Sequence, residues 1–374
     1  MIGAPNVADR KSRQSNIELL RILAACGVVW LHYNNAAIGG GFGFAASGSV
    51  NEFIMVLFET LSICAVNVFV LISGYFLADN NRRDLLKPVE LILQVLILGL
   101  VSFGISVLAN GGGFNIDVFL SFFMSVNWFV FIYAALYIFS PYINLVWKSL
   151  DPAGKKRLLT LMLIIFSVYP TLLEVARAVS GRSMNGLSTV GATGSQSGYT
   201  IVIFVFMYLI GCSLRDMDKN GAVGASIELK TSKLLIWFCM DAVLIILWTY
   251  FDKLVLKKNV FETIAWNYDN PLVIIEAVLI FLIFRNMKIE NTKVINTLSA
   301  ASFTVYLVHV RFLPFCNIEF FASGSPVLLV ISMLISAAGI YVAGFVIYII
   351  YNICTKPLIV LLDNTWQNGR KYTA

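Results

Sequence analysis

Arg21 and His32 stand eleven residues apart in the first long apolar run of the chain, Ile17 to His32. On an α-helix, eleven steps return to within roughly 20° of the same azimuth and rise about 16 Å. A fixed guanidinium and a titratable imidazole therefore share one helix face, half a bilayer apart. Glu18 and Asn35 fall in the same arc, about 60° wide. Ionisable groups are costly inside a membrane helix and mark function by default. A neutral imidazole can take a proton from a hydroxyl, so the chemistry these groups suit is general-base catalysis. His32 would be the base, with Arg21 and Glu18 in support. The plainer alternative makes Glu18 and Arg21 an i,i+3 ion pair that anchors the helix at the membrane interface.

The chain has only two histidines. The second closes Ser302-Phe-Thr-Val-Tyr-Leu-Val-His309, where Ser302, Tyr306 and His309 share a face at i, i+4 and i+7. His309 is expected at a depth similar to His32, so the two could face one cavity. Two imidazoles alone make a poor metal site, and no metal is expected. Tyr306, His309, Ser73, Trp128 and Asn67 are candidate substrate-binding residues. Trp128 opens a stripe of Tyr133, Tyr137, Ser140 and Asn144, a pattern that also suits packing. Asp241, Glu276, Glu174 and Arg177 are further cavity-lining candidates. Arg82 and Arg83, with Lys87, form a basic turn that would either set topology or hold phosphate.

These groups need a scaffold, and composition defines it. Of 374 residues, 59% are hydrophobic and 13% charged, and mean hydropathy is +0.81. A soluble domain carries about 25% charged residues. The apolar runs have helix length rather than the length of barrel strands. The expected fold is all-α, a polytopic transmembrane helical bundle of about ten spans, near 17–38, 54–77, 88–108, 127–147, 157–179, 199–214, 233–250, 271–286, 296–316 and 326–352. A basic tail (1–16) precedes the membrane domain (17–352) and a second tail (353–374) follows it. The first run carries Arg21 and no small-residue cleavage pattern, and reads as a retained helix.

The net charge of +6 does not imply nucleic acid, because the charges lie in short loops between apolar runs. With the N-terminus in the cytoplasm, 20 Lys and Arg fall on the cytoplasmic side and 6 outside, with Arg21 within the membrane. The positive-inside rule favours that orientation, which returns the C-terminus to the cytoplasm. The outer segments 39–50 and 180–198 are rich in Gly, Ser, Thr and Asn, which suits either polar-ligand contacts or flexible connection. The six cysteines show no CxxC spacing and read as packing thiols.

Three stretches resemble the acyltransferase-3 family of bacterial membrane-bound O-acyltransferases. Asn16-Ile-Glu-Leu-Leu-Arg21, ten residues and His32 look like its Arg-x10-His signature. Val66-Asn-Val-Phe-Val-Leu-Ile-Ser-Gly-Tyr-Phe76 is similar to its Phe-x-x-Ser-Gly-aromatic segment, and Ser302 to His309 to its Tyr-Leu-x-His segment. Asn127-Trp-Phe-Val-Phe-Ile-Tyr133 is like a Trp-containing family helix. The resemblance implies acyl transfer, usually O-acetylation, from cytoplasmic acetyl-CoA to an envelope polysaccharide or lipid-linked sugar at the bacterial inner membrane. It implies that His32 is essential and that Arg21 supports it. The segment Asn80-Asn-Arg-Arg-Asp-Leu-Leu-Lys87 departs from the family's Arg-x-x-Arg pattern, so Arg82 and Arg83 match its coenzyme A site only loosely. The rival class is a glycan or acyl-sugar transporter. The lack of an internal repeat and the Arg-x10-His face count against that class.

Overall fold

A computed structural model describes residues 13–80, 84–110, 115–124, 128–221 and 230–371. Sixteen α-helices follow in order: α1 (Ser15–Asn34), α2 (Gly41–Phe44), α3 (Val50–Thr60), α4 (Ala65–Leu77), α5 (Leu86–Asn110), α6 (Ile116–Met124), α7 (Trp128–Ser149), α8 (Pro152–Leu163), α9 (Tyr169–Ser180), α10 (Ile201–Gly221), α11 (Thr231–Leu254), α12 (Pro271–Asn286), α13 (Lys293–Ser299), α14 (Ser302–Phe312), α15 (Ile318–Ser323) and α16 (Pro326–Lys371). No strand occurs among the described residues, so the chain is an all-α polytopic protein, as expected.

The expected count of ten spans is not confirmed. Among the described residues, seven helical segments are long and apolar enough to cross a membrane, and an eighth arises if the pair α13–α14, bent by 55°, counts as one span. The runs at 199–214 and 271–286 do form helices. α10 carries Arg215, Asp216, Asp218 and Lys219 near its end and α12 has only 16 residues, so neither meets that test of length and composition, although both start at the joined loops of Ser197 and Tyr268 and end at the Arg285–Asp218 pair beside the start of α1. A full crossing takes about 20 apolar residues.

Local sequence sets the ends and bends. Ser49 caps α3 by accepting from Glu52 N, and Glu52 reaches back to Gly48 N at 2.8 Å. Asp151 and Asn270 cap α8 and α12, each ahead of a proline at the first helical position. Between α8 and α9 the helix widens into a π turn at Ile164–Val168. Pro170 lies just beyond it, with no N–H to give and a ring that crowds the carbonyl four residues back.

The centre of the bundle is α1, α4 and α10. Gly74 and Gly211 let the last two touch. A Cβ on Gly74 would lie 2.0 Å from the Tyr208 carbonyl oxygen, and one on Gly211 would lie 2.2 Å from that of Leu71. Only glycine permits so close a backbone approach. Asn144 of α7 donates to the Leu77 and Asn80 carbonyls at 2.8 and 2.9 Å, closing the end of α4, and accepts from Tyr208 Oη at 2.9 Å. α1 is fixed at its start by Asn16, which donates to the carbonyls of Phe284, Arg285 and Met287 at the end of α12. Trp30 Nε1 ties it to α16 through the Met333 carbonyl at 2.9 Å.

Candidate active site

α14 packs along α1, and that pairing brings the two histidines into contact. His309 Nε2 lies 2.8 Å from His32 Nδ1, with ring centroids 4.6 Å apart and the planes tilted by 52°. His309 is fully buried. Its Nδ1 is 2.6 Å from the Tyr306 carbonyl oxygen, and His32 Nδ1 is 3.0 Å from that of Val28.

The hydrogen-bond geometry assigns the protons. A carbonyl oxygen only accepts, so neutral His309 carries its proton on Nδ1 and presents a lone pair at Nε2. His32 Nδ1–H must then donate, shared between His309 Nε2 and the Val28 carbonyl. That leaves the lone pair of His32 on Nε2, where no hydrogen bond from the described residues occupies it. An imidazole held in one tautomer with a free Nε2 is a general base in its working form.

A cavity of about 480 Å³ approaches this pair from the end of the bundle where α1 begins. Arg13, Glu18, Arg21 and Lys87 supply its charged wall, and Ser73, Tyr133, Ser299 and Ser302 add hydroxyls. Val28, Phe129 and Tyr306 also line it, whereas neither histidine does. Val28 is one turn before His32, and Tyr306 one turn before His309. Within the cavity, Arg21 Nη1 reaches both oxygens of Glu18 at 3.3 and 3.4 Å, and the guanidinium sits 5.8 Å from the centre of the Phe76 ring. The Ser299 hydroxyl donates to Glu18 from the bend between α13 and α14. Ser73 donates to the Phe69 carbonyl at 2.9 Å and so accepts from Tyr133 Oη, also 2.9 Å away. Arg13 is held by the Asn296 carbonyl at 2.7 Å.

The structure divides the sequence candidates. Glu18, Arg21, Ser73 and Tyr306 line the cavity, and His32 and His309 meet one turn beyond its lining residues Val28 and Tyr306. Trp128 and Asn67 belong instead to an aromatic cluster at the other end of the bundle. Trp128 lies 4.5 Å edge-on from Tyr199 and 6.0 Å in parallel from Phe204, and Asn67 Nδ2 donates to the Tyr268 carbonyl at 3.0 Å. Asn35 ends α1, accepting from Ala37 N and Ile38 N. Glu174 and Arg177 pair with each other at 3.2 Å. Asp241 and Glu276 are buried and do not line the cavity. Arg82 and Arg83 lie outside the described residues. Sequence reasoning missed Arg13 and Ser299 and named Lys87 only as part of a basic turn. No periodicity marks them, because chain folding alone brings them to the α1 face.

No group of three or more His, Cys, Asp or Glu that could hold a metal occurs among the described residues. A family model described as an acyltransferase domain, that of the acyltransferase-3 family, matches residues 14–355. No curated protein and no solved structure matches the chain.

Proposed function

Given that the chain belongs to the acyltransferase-3 family, we propose that it moves an acetyl group from acetyl-CoA to a hydroxyl of a cell-envelope polysaccharide or lipid-linked sugar, with His32 as general base. The observation that carries this reading is the His32–His309 contact, which leaves His32 Nε2 without a hydrogen bond from the described residues, one turn beyond Val28 in the wall of a cavity with basic side chains. The balance of Lys and Arg supports an orientation with both termini in the cytoplasm of a bacterial cell, so the cavity faces the acyl donor.

Each residue then has a task. Arg13 and Lys87 offer cations for the phosphates of the donor, and the long pantetheine arm suits a narrow cavity between α1, α4, α7 and α14. Arg21 is steadied by Glu18, and its planar N–H donors suit the phosphates of the donor. Nε2 of His32 takes the proton as the acceptor hydroxyl attacks the thioester carbonyl. The carbon–sulfur bond breaks, and the leaving thiolate takes that proton from Nε2. His309 accepts from Nδ1–H throughout, which orients the ring and supports the imidazolium while it exists. On this reading His309 acts as a positioning residue for the base, supported by its contact with His32. Val28 and Tyr306, each one turn from an imidazole, carry the cavity wall toward the pair.

Purified protein in nanodiscs, given radiolabelled acetyl-CoA and envelope glycan from a strain lacking the gene, tests the reading. Label should pass to the glycan as an alkali-labile ester. Movement of glycan across the bilayer with no consumption of thioester would overturn it in favour of transport.

A further inference from the structure

The cavity changes character along its length. Arg13, Glu18 and Arg21 line it around the start of α1, and Val28 lines it about 10 Å further along the helix than Arg21. α14 runs the same way, since Ser299 meets Glu18 and His309 meets His32. α4 and α7 run the other way. Tyr75, near the end of α4, donates to Asp218, which pairs with Arg285, whose carbonyl holds Asn16. Asn144 of α7 reaches the same end through the Leu77 carbonyl. Val66 and Phe69 of α4 and Phe129 of α7 therefore line the cavity toward the end that Val28 and Tyr306 line. None of these five carries a charge, whereas the other end holds Arg13, Glu18, Arg21 and Lys87.

Phe129 is the fixed point of the apolar end. It is buried, and its ring lies 5.5 Å from that of Tyr133 and nearly parallel to it, at 16°. The rings of Tyr306 and Phe204 meet it edge-on at 5.4 and 5.6 Å. Tyr133 is itself held by Ser73 at 2.9 Å. A ring packed on three sides cannot swing aside without opening a void or forcing a clash. Phe129 is also close to the chemistry. The Tyr306 ring lies 5.9 Å from that of His309, which is 4.6 Å from that of His32.

A thioester that leaves its phosphates among the cations leads with its acyl group, and the acyl carbonyl then approaches His32. Whatever extends beyond that carbonyl meets the aromatic end. A methyl group adds little there, whereas each further methylene has to displace a clamped ring. From this geometry we infer that Phe129 sets the length of the acyl group, admitting acetyl and turning away butyryl and longer chains. The inference rests on the acyl-transfer reading for the donor, and adds the residue that decides which donor is used.

The test compares acetyl-CoA, butyryl-CoA and hexanoyl-CoA on nanodisc-embedded protein. The readouts are Kd for each thioester and kcat/KM for transfer of its acyl group to envelope glycan. Coenzyme A without an acyl group is titrated on every variant, which separates a general loss of affinity from a change in selectivity. The parent should prefer acetyl over butyryl by at least about tenfold, the lower bound for one methylene too many in an apolar pocket. Phe129→Leu and Phe129→Ala should raise the butyryl-to-acetyl ratio at least about tenfold above the parental one, with hexanoyl gaining most in the alanine variant. A merely structural role would lower every donor alike and leave the ratio where it was. Phe129→Leu keeps an apolar side chain and is decisive if the alanine variant fails to fold. Two results overturn the size limit: a parent protein that takes butyryl as readily as acetyl, or a folded Phe129→Leu protein with the parental ratio. A shifted Kd ratio without acyl transfer would instead overturn the acyl-transfer reading and leave the size limit standing.

Discussion

Replacing His309 with alanine removes the acceptor that lies 2.8 Å from His32 Nδ1 and leaves His32 Nε2 in place. During transfer His32 becomes an imidazolium, so the lost hydrogen bond is one to a charged group, worth about 1.5–3 kcal/mol. At about 1.36 kcal/mol per tenfold, kcat should fall by roughly 10–150-fold. Deleting the base itself costs about 10²–10⁴. The KM for acetyl-CoA should hardly move, because His309 does not line the cavity. His309→Gln restores a side-chain oxygen near the lost lone pair and should recover part of kcat. The assay is label transfer to glycan at saturating acetyl-CoA, with the melting temperature in detergent measured alongside. Unchanged kcat in a folded His309→Ala protein would refute the tautomer argument. A loss as deep as that of His32→Ala, with no rescue by glutamine, would mean that the two imidazoles act as one unit.

Arg21→Lys should lose most activity although the charge stays, because an ammonium lacks the planar fork of donors; full activity would leave Arg21 as an interface anchor. Gly74→Ala should cost at least about 1–3 kcal/mol through overpacking against the Tyr208 carbonyl, read as a lower melting temperature, and an unchanged melt would contradict the close approach of α4 and α10. Asp79, beyond the end of α4, has its pKa held below the ordinary value: partial burial alone would raise it, but hydrogen bonds and charge from Lys219 and Arg215 outweigh that. Its folded-state pKa is depressed, so its contribution is present above the unfolded pKa and lost as pH falls through the folded one. Acid melts of Asp79→Asn should therefore fall less steeply over that window than those of the parent protein, and identical slopes would remove Asp79 from the account.

Helix period and charge made the first half of the site legible. Arg21 and His32 share an azimuth because eleven residues close three turns, and Glu18 lies one turn from Arg21 on the same side. Tyr306 and His309 are likewise neighbours on one helix, and the structure uses that spacing for a backbone hydrogen bond. The partnership of the imidazoles was not legible. It depends on α14 packing beside α1, and nothing local to either helix specifies that. Gly74 stood out in sequence as part of a motif, whereas its role, admitting the backbone of α10, needs both helices. The crossing near 296–316 was legible as an apolar run but its bend at 300–301 was not, since hydropathy cannot distinguish a straight span from one bent by 55°.

The central claim is that His32 is the base for acyl transfer. Its most direct test is the acetyl content of envelope glycan, by mass spectrometry, from cells producing His32→Ala and the parent protein at equal levels in the membrane. The account predicts that acetyl esters fall to the level of a strain without the gene, while the variant protein still inserts and binds acetyl-CoA. Glycan acetylated to the parental extent in the His32→Ala cells would contradict it.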